Sequence, residues 1–290
     1  MKKNMRTPAA MMALFLFFCL AMKAEEKQTV KINGITRTYL LHLPANLKKD
    51  APLVFVLHGY GGTANPQQYG MDAVSDQYGF AVCYPQGEKD GRGKTCWNVG
   101  YPFQENMKID DVDFLCKLAW HLQTKHGLSR ENTFCTGMSN GGEMCYVLAS
   151  QRPDVFSAVA PIAGLTMEWL YKSCPCPTNP VPVFEIHGTS DKTSEWNGDL
   201  KNEGGWGAYV SVPLAVHFWA AANRCTEEIT DTLPKYNQES DHLVISHKFI
   251  HGINGNEVWL YEVVNGGHSW ASKDLNTSEE IWKFFQKSLK

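Results

Sequence analysis

Past its first two dozen residues, the 290-residue sequence has no apolar run approaching membrane-spanning length, no block of basic residues, no internal repeat and no low-complexity linker. The first absence argues against a membrane span in the body of the chain. The second argues against nucleic acid or an anionic membrane as partner, since both are held by clustered Lys and Arg. The last two point to a single domain rather than an array or tethered modules. Cysteines are present, but their uneven spacing gives no disulfide framework, and a chain this long does not need one to build a core. Cys174-Pro175-Cys176 lacks a second Cys or His pair at finger spacing, which argues against a zinc site.

What stands at the start is a basic cluster (Lys2, Lys3, Arg6), an apolar stretch from Ala9 to Met22, and the small residue Ala24 before Glu25-Glu26. That is the layout of a secretory signal, so residues 1–24 are expected to be removed and residues 25–290 to form one exported domain, periplasmic or extracellular. Loss of Lys2, Lys3, Arg6 and Lys23 leaves 23 basic against 30 acidic residues, a net charge of −7. Eight of the nine cysteines remain after Cys19 leaves.

Strand and helix patterns then alternate. QTVKI and ITRTYLLHL flank Asn33-Gly34, a strong signal for a two-residue hairpin turn. LVFVL (53–57) and FAVCY (80–84) are continuous apolar runs, as expected of strands covered on both faces of a parallel sheet. Helices are expected over 66–78, from Ile109 to Gly127, over 141–152 and 213–223, and from Ser278 to Leu289 with Thr277 or Ser278 as cap. Further strands are expected at 133–137, 158–164, 181–188, 243–250 and 257–264. The long irregular stretch 85–108 reads as a functional loop. Buried strands alternating with helices define an α/β fold with a mostly parallel central sheet and helices on both faces.

In such a sheet, ligands gather at the carboxyl ends of the strands. Ser139, in TGMSNGGE, lies where a strand turns at once into a helix, between Gly137 and Gly141. A turn that tight strains the serine backbone and leaves no room for side chains two positions away. A serine hydroxyl needs a base, and His268 in NGGHSW has flanking glycines that free its loop to reach over the serine. Asp191 in HGTSD, beyond another buried strand, can fix the imidazole tautomer and stabilise its cation. The order Ser, Asp, His suits this architecture. An oxyanion hole then needs two backbone N–H groups. Asn140 directly after the serine supplies one and HGYGG (58–62) the other, from Tyr60, with Gly61 the alternative. His58 reads as structural.

HGYGGTA, DDVDFL, GMSNGG, RPDVFSAVAPIAG, HGTSD and GGHSW together resemble the polyhydroxybutyrate depolymerase-like esterases, which include feruloyl and acetylxylan esterases of carbohydrate esterase family one. The likeness runs from about Arg37 to Trp270. It implies an α/β-hydrolase fold with Ser139 as nucleophile, Asp191 as triad acid and His268 as base, and needs neither metal nor organic cofactor. The family often has proline after the tryptophan that follows its histidine; here Trp270 precedes Ala271. The stretch TSEWNGDLKNEGGWGAY (193–209) matches no pattern of the family. The family's strand order would also put LVFVL between the strands carrying Cys83 and Cys135, too far apart for a disulfide.

The expected substrate is a small ester or ester-decorated oligosaccharide. Trp97, Trp196, Trp206 and Trp270 are candidates for stacking on a sugar or feruloyl ring. Polyester depolymerases usually add a surface-binding module and a linker, neither of which is seen here. The expectation therefore leans to feruloyl or acetyl esters of plant polysaccharide fragments over polyester. A peptidase or lipase, or a binding protein on the same scaffold, are the rivals from other classes.

Overall fold

The computed structural model describes residues 27–173 and 179–290. The expected signal peptide and Cys174-Pro175-Cys176 lie outside the described residues. In chain order the elements are β1 (Gln28–Ile32), β2 (Ile35–His42), β3 (Leu53–Leu57), α1 (Pro66–Tyr69), α2 (Met71–Tyr78), β4 (Ala81–Pro85), β5 (Glu88–Lys89), β6 (Thr95–Cys96) and α3 (Asp111–His126). They continue with β7 (Thr133–Met138), α4 (Asn140–Gln151), β8 (Ala158–Ile162), α5 (Glu168–Ser173), β9 (Val183–Gly188) and α6 (Val212–Ala222). The chain closes with β10 (Glu227–Thr232), β11 (Val244–Ile250), β12 (Val258–Val263) and α7 (Thr277–Gln286).

One 10-stranded sheet runs β1-β2-β4-β3-β7-β8-β9-β12-β11-β10. From β4 to β12 neighbouring strands are parallel, and the outer strands on either side are antiparallel. The side-chain period of two explains why the central strands are apolar throughout. In β3, Phe55 and Leu57 join a core layer with Leu115 of α3, Met144 of α4 and Trp219 of α6. Val54 and Val56 point the other way, into a layer completed by Met71 and Val74 of α2 and Ile281 and Phe285 of α7. Each fully buried side chain of this size contributes roughly 1.5–3 kcal/mol. The β4-β3-β7 order puts β3 between the strands carrying Cys83 and Cys135, as expected.

Asn33 (φ 51°) and Gly34 (φ 82°) form the turn joining β1 to β2, and both take the left-handed conformation that a two-residue hairpin needs. The helix expected over 66–78 is instead two pieces, because Gly70 adopts φ 67° between them. The 85–108 stretch is less irregular than expected, since β5 and β6 pair as a small hairpin within it. Helix α3 begins at Asp111, two residues later than Ile109. Its cap is Asp110, whose carboxylate accepts the Asp113 N–H at 2.8 Å. Neither Thr277 nor Ser278 caps α7. Their hydroxyls donate instead to the Trp270 and Tyr69 carbonyls, fastening the helix to the loop before it and to α1.

Candidate active site

Strand β7 delivers Ser139 to the carboxyl edge of the sheet, and α4 starts at the next residue. Ser139 sits at φ 56° and ψ −121°, a conformation a non-glycine residue holds only when its surroundings impose it. The surroundings are visible. A β-carbon on Gly137 would lie 2.7 Å from the Gly141 carbonyl carbon, and one on Gly141 would lie 2.4 Å from the Leu57 carbonyl oxygen. Strand, turn and neighbouring β3 therefore close on each other only because both positions are glycine. Ser139 N–H donates to the Ile162 carbonyl of β8 at 2.8 Å, fixing the turn against the sheet.

Asp191 and His268 come from the loops after β9 and β12, which are adjacent and parallel. The loops are stitched together: Ser190 N–H donates to Gly266 O at 2.9 Å, and Asn265 N–H to Thr189 Oγ1 at 2.8 Å. This seam brings His268 Nδ1 within 2.7 Å of Asp191 Oδ2. Asp191 Oδ1 accepts the N–H groups of Thr193 and Ser194, each at 2.8 Å. Burial alone would raise the Asp191 carboxyl, but His268 and those two amides outweigh it and hold the group below the usual carboxylate range. Among the described residues Ser139 Oγ makes no hydrogen bond to His268; such contacts are often long without substrate and tighten when it binds.

Behind Asp191 lies a group the sequence reading passed over. His187 Nε2 is 3.6 Å from Asp191 Oδ2 and donates to the Ser194 carbonyl at 2.8 Å, while Nδ1 meets Glu185 Oε1 at 2.7 Å. All three side chains are fully buried. Glu185 is completed by the Tyr146 hydroxyl at 2.9 Å and the Gly164 N–H at 3.2 Å. His187 sits in the HG that announces Asp191, so the motif was seen but its imidazole was not assigned work.

The HGYGG turn packs directly against the serine. A β-carbon on Gly59 would be 3.4 Å from Ser139 Cβ and 4.0 Å from its Oγ. Gly61 N–H is already held by Thr95 O at 2.7 Å and Gly62 N–H by Gly59 O at 2.9 Å. The Tyr60 N–H has no partner among the described residues, which separates it from Gly61 as an oxyanion donor. Asn140, at the first position of α4, has its amide ahead of the helix ladder, while its side chain clamps Trp97 through the Trp97 N–H (2.7 Å) and carbonyl (3.1 Å). His58 is buried. Its Nε2 accepts from Gly87 N–H at 3.0 Å, so the proton sits on Nδ1, which donates to Gly59 O at 2.8 Å. Burial also lowers its pKa, so a neutral ring holds the turn.

Of the four tryptophans, only Trp206 reaches this site. It joins Tyr60, Tyr101 and Phe103 in an aromatic cluster with ring centroids 5.1–6.3 Å apart. Trp97 is corrected to a core residue: it is fully buried, and its indole N–H donates to the His58 carbonyl at 2.9 Å. Trp270 is likewise buried, its ring 4.8 Å from that of Tyr69 in the core layer of α7. Trp196 is half-buried beside His187, with ring centroids 6.1 Å apart. The unassigned 193–209 stretch is pinned through Asp199, which pairs with Tyr209 across an antiparallel bridge, and this presents Trp206 to the cluster.

A small cavity at Ser139 is walled by Tyr101, Glu143, Leu165, Thr193, Ser194 and Trp206. Larger hollows, of about 420 and 610 Å³, lie beside Pro180 and Asn256 and between β1 and α3. Neither contains a candidate catalytic group, so chemistry rather than size marks the site. Glu143 is 2% exposed and accepts a short hydrogen bond from the Tyr101 hydroxyl. Burial pushes its carboxyl up to about 8, against the opposing pull of Tyr101 and Asn140. Folding therefore takes up a proton between the unfolded value near 4.5 and about 8, and stability falls as pH rises through that window. Glu143→Gln, which cannot ionise, should flatten this dependence and gain on the order of 3 kcal/mol relative to wild type between pH 5 and pH 9. Urea unfolding at the two pH values reads the difference.

Residues 37–172 match the family model of the esterase PHB depolymerases. Over those residues the chain is similar to this esterase family. The match takes in the HGYGG turn and Ser139 but ends before Asp191 and His268. Among curated relatives, poly(3-hydroxyalkanoate) depolymerase C of Paucimonas lemoignei is 29% identical over 187 residues, covering 64% of this chain and 43% of that protein. The bifunctional acetylxylan esterase/xylanase XynS20E of Neocallimastix patriciarum is 28% identical over 174 residues, 58% of this chain and 24% of that protein. The chain thus spans less than half the length of either relative. An acetyl xylan esterase structure from Aspergillus awamori superposes with a TM-score of 0.62 at 18% identity, over 90% of this chain and 99% of that one, which establishes the α/β-hydrolase fold. Among the described residues, no cluster of His, Cys, Asp and Glu is arranged to hold a metal ion.

Proposed function

We propose that this chain is an exported serine carboxylic-ester hydrolase acting on feruloyl or acetyl esters of xylan-type oligosaccharides. The observation that carries the reading is the 2.7 Å His268–Asp191 contact at the same sheet edge as a serine held at φ 56° on the first turn of a helix. In this mechanism His268 takes the proton of Ser139, which attacks the ester carbonyl. The amides of Tyr60 and Asn140 receive the oxyanion, aided by the α4 N-terminus. His268 then protonates the leaving alcohol, and the same imidazole activates the water that releases the acid from the acyl-enzyme.

The similarity to an acetylxylan esterase/xylanase and the ring-lined approach through Trp206 and Phe103 support a sugar or aryl ester. The likeness to a poly(3-hydroxyalkanoate) depolymerase supports a second reading, hydrolysis of hydroxybutyrate oligomers. A release assay with methyl ferulate, acetylated xylo-oligosaccharide and short hydroxybutyrate oligomers, run side by side, separates them. Release from none of the three, together with no labelling of Ser139 by a fluorophosphonate, would sink the esterase reading.

A further inference from the structure

Glu143 stands in the first turn of α4, its N–H bonded to the Ser139 carbonyl at 2.9 Å. A buried carboxyl there needs a reason. The bland one is that it anchors the 97–104 loop through Tyr101. Yet Glu143 and Tyr101 also line the cavity that contains Ser139, together with Leu165 and Trp206. The wall of the Ser139 cavity therefore includes a carboxyl–phenol pair beside the apolar Leu165 and Trp206.

We propose that Glu143 and Tyr101 recognise a hydroxyl group carried by the substrate beside its ester, so that this chain selects hydroxylated esters over matched deoxygenated ones. The inference rests on the esterase reading and deepens it. A hydroxyl both donates and accepts one hydrogen bond, which suits a pair that itself offers acidic protons and oxygen lone pairs. An anion would face oxygen lone pairs, and an alkyl group would leave the carboxyl further desolvated without a partner. The carboxyl is held largely protonated at neutral pH, so it can donate as well as accept. The hydroxyl could belong to the acyl group or to the sugar alcohol, and the two sources are separable.

The test is a ratio of kcat/KM values, which does not depend on the fraction of active enzyme. In the acyl arm, 4-nitrophenyl 3-hydroxybutyrate is compared with 4-nitrophenyl butyrate. In the alcohol arm, methyl 2-O-acetylxyloside is compared with its 3-deoxy analogue. Wild type should favour the hydroxylated ester about tenfold or more in one arm. Glu143→Leu should bring that ratio close to one, Tyr101→Phe should lower it at least about threefold, and Glu143→Gln, which still donates and accepts, should retain most of it. A residue that only anchors the loop would slow every ester alike and leave the ratio untouched. If Glu143→Leu does not fold, Tyr101→Phe reads the same quantity. Ratios unchanged within about twofold in both arms, with esters still hydrolysed, would overturn the inference alone. Absence of hydrolysis by wild type would overturn the esterase reading with it.

Discussion

Ser139→Ala should lower kcat/KM for an aryl ester by about 10⁴-fold or more while leaving the fold unchanged. The size follows from what is removed. In the proposed mechanism this hydroxyl is the attacking group, and without it the acyl-enzyme route would close, leaving whatever the Tyr60 and Asn140 amides would contribute by polarising the ester toward water. The fold should survive because the serine side chain makes no hydrogen bond among the described residues. The strained turn is held by its own backbone N–H to Ile162 and by the Gly137–Gly141 approach, none of which involves Oγ. Alanine keeps the β-carbon and the φ of 56° with it, so the stored strain is unchanged. The check is paired: ester turnover alongside thermal unfolding of the same preparation. Near-wild-type turnover by the alanine variant would remove Ser139 from the mechanism.

What was legible beforehand divides by whether the determining contacts are local. The hairpin at Asn33-Gly34 and the buried strand LVFVL were readable because turn chemistry and apolar continuity are written in consecutive residues. The serine turn was readable because its glycines record a steric requirement of the backbone itself. Strand β10, EEITDT, was not: all six residues are exposed, and the segment is a strand only because β11 offers it a ladder. The Trp97 and Trp270 assignments failed for a related reason. Membership of a loop does not reveal direction, and Trp97 turns inward because the His58 carbonyl and the Asn140 side chain hold it there. Glu143 and Tyr101 are 42 residues apart and meet only in the tertiary structure. The one local hint was an acidic residue placed directly behind the two glycines of an otherwise apolar helix start.

Asp191→Asn should cost nearly as much as loss of the serine, about 10⁴-fold in kcat, although it changes one atom. The surrounding hydrogen bonds dictate why. Asp191 Oδ1 accepts two backbone N–H groups, from Thr193 and Ser194, so in the variant the amide oxygen must occupy that position. The NH2 group is then forced to face His268. Nδ1, which lies 2.7 Å from Oδ2 in the wild type and donates to it, would have to accept instead, and the imidazole proton would move to Nε2. An imidazole protonated at Nε2 cannot take the proton of Ser139, so the base is present in the wrong tautomer. The same substitution carries a stability signature with a defined sign. Because the folded-state pKa of Asp191 is depressed, its ionised form stabilises the fold above the unfolded value of about 3.8, and that contribution disappears as pH falls through the lower folded value. The variant should therefore melt below wild type at pH 7, with the gap closing toward pH 3. A gap that stays constant across that range would mean that Asp191 is not held as a carboxylate by His268 and the loop amides, and the tautomer argument would lose its footing.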